Sequence, residues 1–156
     1  MKKLILLSIA SIVFVLGTVA QTLTEKQGLY YSEQGTLYTG TYTTYTATGV
    51  KKSTVTITEG KINGAVTYYY ENGNIMETGA FASNEKDGEW IRYNETGVKT
   101  ATAFYVAGKK DGTWYIWDGK GTKRYEMHYA LGEKKGKWLM WDENGNVTSE
   151  KTYTTL

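Results

Sequence analysis

The chain has 156 residues with no cysteine and no proline, so one domain is expected, held without disulfides by packing and hydrogen bonds alone. Its formal charge of +2 comes from Lys2 and Lys3; residues 21–156 balance 16 basic against 16 acidic side chains, which removes the electrostatic support that nucleic-acid binding needs. Eighteen glycines, 14 tyrosines and five tryptophans give a composition of strands and turns.

Residues 1–20 read as a secretory signal. Lys2 and Lys3 precede an apolar run from Leu4 to Leu16, broken only by Ser8 and Ser11, and Thr18-Val19-Ala20 offers a small-x-small cleavage site. The run is shorter than the roughly 20 residues of a membrane span. No cysteine follows it to carry a bacterial lipid anchor. The expectation is export to the periplasm or the extracellular space after cleavage near Ala20. Residues 21–29 read as a short lead-in and residues 30–156 as the folded domain.

Within 30–156 the chain repeats every 24 residues. Gly40, Gly64, Gly88, Gly112 and Gly136 form one series, and Gly49, Gly73, Gly97, Gly121 and Gly145 a second. Two residues after the first series stand Tyr42, Val66, Trp90, Trp114 and Trp138. Five residues after it stand Tyr45, Tyr69, Tyr93, Trp117 and Trp141. Seventeen residues after it stand Ile57, Phe81, Tyr105, Tyr129 and Tyr153.

Each unit is predicted to contain two strands and two turns. "GEWIRY" and "GTWYIW" suit a first strand. "YENG", "NETG" and "DENG" then end in a glycine able to take φ > 0 in a hairpin. "KRYEMHY" alternates as a second strand, with Tyr125, Met127 and Tyr129 on one face and Arg124, Glu126 and His128 on the other. "AGKKDG" and "LGEKKG" are expected to turn the chain back, with Asp87 and Asp111 making local bonds before the glycine of a tight turn. The fold class is therefore all-β: a single-layer antiparallel meander of about five hairpin units, about 45 Å across ten strands. Residues 30–60 are threonine-rich and read as a degenerate N-terminal cap unit. The other end stops halfway through a unit, leaving an open strand edge.

The pattern Gly-Lys-x-x-Gly-x-Trp-x-x-Tyr/Trp-x-x-x-Gly, with a Tyr eight residues on, resembles the variant MORN repeat (membrane occupation and recognition nexus). "GKKDGTWYIWDGKG", residues 108–121, carries it most clearly. The likeness covers residues 40–156, and 30–40 more loosely through "YSEQGTLYTGTY". It implies a noncatalytic interaction module. Members are similar to proteins labelled as antitoxins of bacterial toxin–antitoxin pairs, which implies a toxin protein as partner. MORN repeats elsewhere imply scaffolding or phospholipid contact. A second likeness, in "YYYENGNIMETGAF" at residues 68–81, is to the aromatic repeats of choline- and glucan-binding modules and implies a glycan or choline ligand.

Catalytic chemistry finds little footing. His128 is the sole histidine, and its counterparts Thr56, Ala80, Phe104 and Thr152 encode no repeated role. No spacing suits a zinc site, and no cofactor is implied. The glycine loops precede no helix and make no phosphate cradle. One row of turns is acidic (Glu71, Glu95, Asp118, Asp142 and Glu143 against Lys120), and the other sets Lys61, Lys86, Lys109, Lys110, Lys134 and Lys135 against Glu59, Glu85, Asp87, Asp111 and Glu133. This mild polarity reads as a solvated rim or as an approach to an anionic surface. First strands such as Trp114-Tyr115-Ile116-Trp117 are apolar on both faces. Trp114, Trp117, Trp138 and Trp141 are the candidate partner-binding residues, for a protein partner or for a glycan or membrane surface.

Overall fold

The computed structural model describes residues 22–154; the signal reading of residues 1–20 and the cleavage near Ala20 lie outside the described residues. The strands are β1 (Thr24–Lys26), β2 (Leu29–Tyr31), β3 (Gly40–Tyr45), β4 (Lys51–Thr58), β5 (Lys61–Tyr69), β6 (Ile75–Ala82), β7 (Glu85–Tyr93), β8 (Lys99–Val106), β9 (Lys109–Trp117), β10 (Lys123–Ala130), β11 (Glu133–Trp141) and β12 (Val147–Tyr153). β3 to β12 form one ten-stranded antiparallel sheet in sequence order, and β1 and β2 form a separate two-stranded hairpin. The all-β meander of hairpin units is what the 24-residue spacing predicts.

The glycines of the second series close three-residue hairpin loops. Gly73, with φ of 85°, donates its N–H to the Tyr70 carbonyl at 3.0 Å, while Tyr70 donates to Asn74 at 2.9 Å. Residue 118 adds an acceptor to its loop: Asp118 Oδ1 takes the N–H groups of Lys120 at 2.9 Å and Thr122 at 3.0 Å. Those bonds, led by the one from Thr122, hold its carboxyl below the usual range, and Asp142 is lowered by its equivalent bonds from Asn146 first.

The first series does not end turns. The reversals fall earlier, at two-residue pairs with positive φ at both positions, such as Ser83 and Asn84 (50° and 72°) and Ala107 and Gly108 (45° and 74°). "KKDG" therefore belongs to β9, and Gly112 lies inside the strand at a bulge. The same holds at Gly64, where residues 63–65 of β5 oppose Thr56 alone between the pairs Val55↔Val66 and Ile57↔Ile62. A Cβ on Gly64 would come within 3.2 Å of the Thr56 side chain, so the bulge needs both the left-handed backbone and the missing side chain.

Asp87 and Asp111 bond across units rather than locally. Asp111 Oδ1 accepts the Leu131 N–H at 2.9 Å and Asp87 Oδ1 the Ala107 N–H at 3.2 Å; Asn63 Oδ1 does the same for Ser83 at 3.2 Å and Thr39 Oγ1 for Glu59 at 2.9 Å. Each side chain thus satisfies the first amide of the next tight turn. At the fifth position of this register stands Lys135, whose ammonium can only donate.

The core lies toward the N-terminal half. Val55, Ile57, Val66 and Trp90 are buried, with Leu23, Tyr30, Tyr38 and Tyr42 packed against them. Residues 24–31, divided between a lead-in and a cap in the sequence reading, form the one hairpin that leans on this cluster. It is tied down by Tyr30 N–H to the Gly60 carbonyl at 2.8 Å and by Asn84 Nδ2 to the Gly28 carbonyl at 3.0 Å. The threonine-rich first unit supplies Val55 and Ile57, the latter fully buried, while its hydroxyls pair across strands, as at Thr44 and Ser53, 2.6 Å apart.

Candidate functional site: an aromatic ladder and its reverse face

Two of the aromatic registers interleave on one face. Tyr129 lies directly opposite Gly112, and Met127 opposite Trp114. A Cβ at Gly112 would press on Phe104 of the neighbouring strand at 3.3 Å, while on the ladder side the Trp114 ring leans onto Tyr129. Repetition produces a continuous ladder: Phe81–Trp90 at 5.2 Å between ring centroids, Trp90–Tyr105 at 6.3, Tyr105–Trp114 at 5.1, Trp114–Tyr129 at 5.2, Tyr129–Trp138 at 5.1 and Trp138–Tyr153 at 4.9 Å. Tilted and edge contacts of this kind each contribute about 0.5–1.5 kcal/mol beyond burial. Each indole also donates to a carbonyl of the preceding strand: Trp90 to Ala80 at 3.1 Å, Trp114 to Phe104 and Trp138 to His128, both at 3.0 Å.

A lysine two residues before Gly88, Gly112 and Gly136 folds over the rungs. Lys86 lies 3.6 Å from the Trp90 ring centre, Lys110 4.4 Å from that of Trp114 and Lys134 4.8 Å from that of Trp138; each also reaches the tyrosine of its own unit. Half of the lysine-bearing turn row is thus turned onto the ladder, which its rim position in the sequence does not disclose. Burial pushes the Lys86 ammonium down, with Glu77 at 3.9 Å opposing.

The ladder is not uniform. Trp90 is 2% exposed, whereas Trp114 and Trp138 are half-buried. The residue beneath each ring differs: Gly79, Ala103 and Met127 hold one register of the repeat. A Cβ at Gly79 would stand 2.3 Å from the Trp90 ring, so the absence of a side chain there is what lets this indole sink. Gly79 is a departure from the repeat, and sequence reading assigned it to a choline-type motif instead.

The four candidate tryptophans do not share a surface. Alternation along β9 and β11 puts Trp114 and Trp138 on the ladder face and Trp117 and Trp141 on the reverse face. Trp117 touches Tyr115 at 5.6 Å, two residues away on its own side of the strand. Lysines of the preceding unit reach these rings too, Lys99 at 4.5 Å from Trp117 and Lys123 at 4.2 Å from Trp141. His128 is on the reverse face as well, with Nδ1 3.0 Å from Thr113 Oγ1 and Nε2 3.5 Å from Glu126 Oε1. Among the described residues no group of three His, Asp or Glu is placed to hold a metal ion, and no helix is long and apolar enough to cross a membrane.

The family model described as MORN repeat variant matches residues 62–82 and 134–154. No curated protein matches the chain. The two matched segments cover β5–β6 and β11–β12, the same hairpin three units apart, and the units between them keep the same glycine and aromatic registers. These two matches support the MORN-repeat family for the chain, with residues 62–82 and 134–154 as units of its variant repeat.

Proposed function

We propose that the protein is an exported, noncatalytic docking module that receives a protein partner on the uncovered half of its aromatic ladder. The observation that carries this reading is the contrast along one face. The β1–β2 hairpin leans on the cluster around Trp90, whereas Tyr125, Trp114, Tyr129, Trp138 and Tyr153 continue the same apolar face beyond it, with Tyr125 40% exposed. A row of half-buried rings on a rigid sheet suits an interface centre, where tryptophan and tyrosine supply large contact area at low entropic cost. The lysines over the rings form a polar rim. The resemblance to antitoxin-labelled members supports a toxin-like protein as the occupant, in an immunity role matching an exported chain.

The test is capture of partners from the envelope fraction by the purified protein. Trp138→Ala and Trp114→Ala are expected to weaken capture at least about tenfold while the strand-type circular dichroism persists. Equal capture by both variants, with the fold intact, would remove the ladder from the interface. Loss of the fold in both would leave these rings a purely structural part.

A further inference from the structure

The reverse face carries a second periodic series, independent of the ladder. Tyr45, Tyr69, Tyr93, Trp117 and Trp141 recur once per unit. Successive members are two strands apart, a step of roughly 10 Å, too far for ring contact. The strand between them presents Lys51, Ile75, Lys99, Lys123 and Val147 in one register. Lys51 reaches the Tyr69 ring at 5.1 Å, Lys99 the Trp117 ring at 4.5 Å and Lys123 the Trp141 ring at 4.2 Å. From β8 to β11 the face therefore reads cation, ring, cation, ring.

No carboxylate occupies either register. Glu126, at 2.9 Å from Lys123, is the acid that meets this row, and Lys51 and Lys99 make no ion pair among the described residues. Rings and lysines recur at a fixed step, and Tyr93, Trp117 and Trp141 remain half-buried. These properties suit a periodic ligand better than the irregular surface of a globular protein.

We propose that this face binds a linear acidic polysaccharide of β-linked disaccharides with one carboxylate per disaccharide. Each 24-residue unit takes one disaccharide. The disaccharide repeat of such a chain is close to the roughly 10 Å step between rings, so successive sugars meet successive rings without slippage. The C–H face of a pyranose stacks on Tyr93, Trp117 and Trp141. Its carboxylates pair with Lys99 and Lys123. In the free protein the Lys99 ammonium rests on the Trp117 ring, a weak contact that a carboxylate replaces. Lys123 rests on the Trp141 ring but also pairs with Glu126 at 2.9 Å, and would share its ammonium between that acid and the sugar. Neutral glycans would leave the lysines without a partner, and a polyanion lacking sugar faces would leave the rings without one. The inference goes beyond the protein-docking reading and uses the opposite face, so each can fail alone.

The experiment is titration of tryptophan fluorescence in the purified protein with hyaluronan oligosaccharides of increasing length, with chitin oligosaccharides and polyglutamate as controls. Affinity is expected to rise with each added disaccharide until the track is filled, and to fall with salt. Trp117→Ala and Trp141→Ala should each lower it about tenfold. Lys99→Gln and Lys123→Gln should lower it a few-fold and flatten the salt dependence, while Trp114→Ala on the other face leaves it unchanged. Circular dichroism and Tyr93→Ala guard against misreading a folding defect. No binding of hyaluronan, affinity independent of length, equal binding of chitin or polyglutamate, or unaltered binding by Trp117→Ala would each overturn the proposal. So would capture of a protein through Trp117 and Trp141 without any binding of hyaluronan, which would assign the face to a protein.

Discussion

Trp90 and Trp138 hold the same position in units two steps apart, make the same indole-to-carbonyl bond at 3.1 and 3.0 Å, and carry the same lysine roof, yet one is buried and the other half-open. Two small departures from the repeat separate them. Gly79 removes the side chain beneath Trp90, where Met127 stands beneath Trp138, and the β1–β2 hairpin leans on the cluster at one end only. The repeat sets the address of each ring, and its exceptions decide whether that ring serves as core or as surface.

The largest expected effect sits in this contrast. Trp90→Ala should cost about 3–5 kcal/mol by chemical denaturation, as buried large-to-small changes do. Trp138→Ala, half-exposed already, should cost about 1–2 kcal/mol, in proportion to the smaller area it hides. Equal losses would show that burial of the ring is not what separates the two ends.

Next is Gly79→Ala. The added methyl would collide with the Trp90 ring at 2.3 Å, and overpacking of this kind costs about 1–3 kcal/mol. Beside Trp90→Val, which restores the small residue that Val66 already represents in the preceding unit, most of that cost should vanish. A penalty of the same size in both backgrounds would place the strain in the backbone rather than under the indole.

Asp111→Ala should cost about 1 kcal/mol by orphaning the Leu131 amide across the unit boundary, and Asp111→Asn, which keeps an acceptor as Asn63 does, should cost less. Native-state hydrogen exchange at Leu131 reads the effect directly. Protection unchanged in Asp111→Ala would mean that this bond does not couple the units.

The smallest effect distinguishes the ends by acid. The loops at the C-terminal end rest on Asp118 and Asp142, whose carboxyls are lowered by backbone bonds; the first loop uses Thr46 Oγ1, 3.1 Å from the Val50 N–H, which does not titrate. A lowered native value means stabilisation present above the ordinary carboxylate pKa of about 3.9 and lost as pH falls through the native one. Amide protection at Thr122 and Asn146 should therefore fade before that at Val50 in this acid range, and Asp118→Asn should make Thr122 indifferent to it. Simultaneous loss at all three would point to global unfolding.

Much of this fold is legible in the sequence because each unit repeats one set of constraints, and coincidence across five copies filters out accident. The hairpin glycines and the ladder registers are read that way, and the alternation of Tyr125, Met127 and Tyr129 is read from one strand alone. The bulges are not, because glycine reports a left-handed backbone without saying whether the chain reverses or only kinks, so Gly112 was expected to end a turn. Trp114 and Trp117 look like one patch in the sequence, although strand geometry sends them to opposite faces. The lysine roofs, the bonds between units and the buried place of Trp90 depend on contacts between units, which no single repeat encodes.

Pairing in the large sheet joins only strands that follow one another in the chain, and the amide-to-carboxylate ties reach only the adjoining hairpin. Assembly can therefore proceed like a zipper, each hairpin using the last as its template, with little loop-closure entropy lost at any step. The same locality makes length a free variable: duplicating or deleting one 24-residue block would lengthen or shorten both faces together without disturbing the register of any remaining strand.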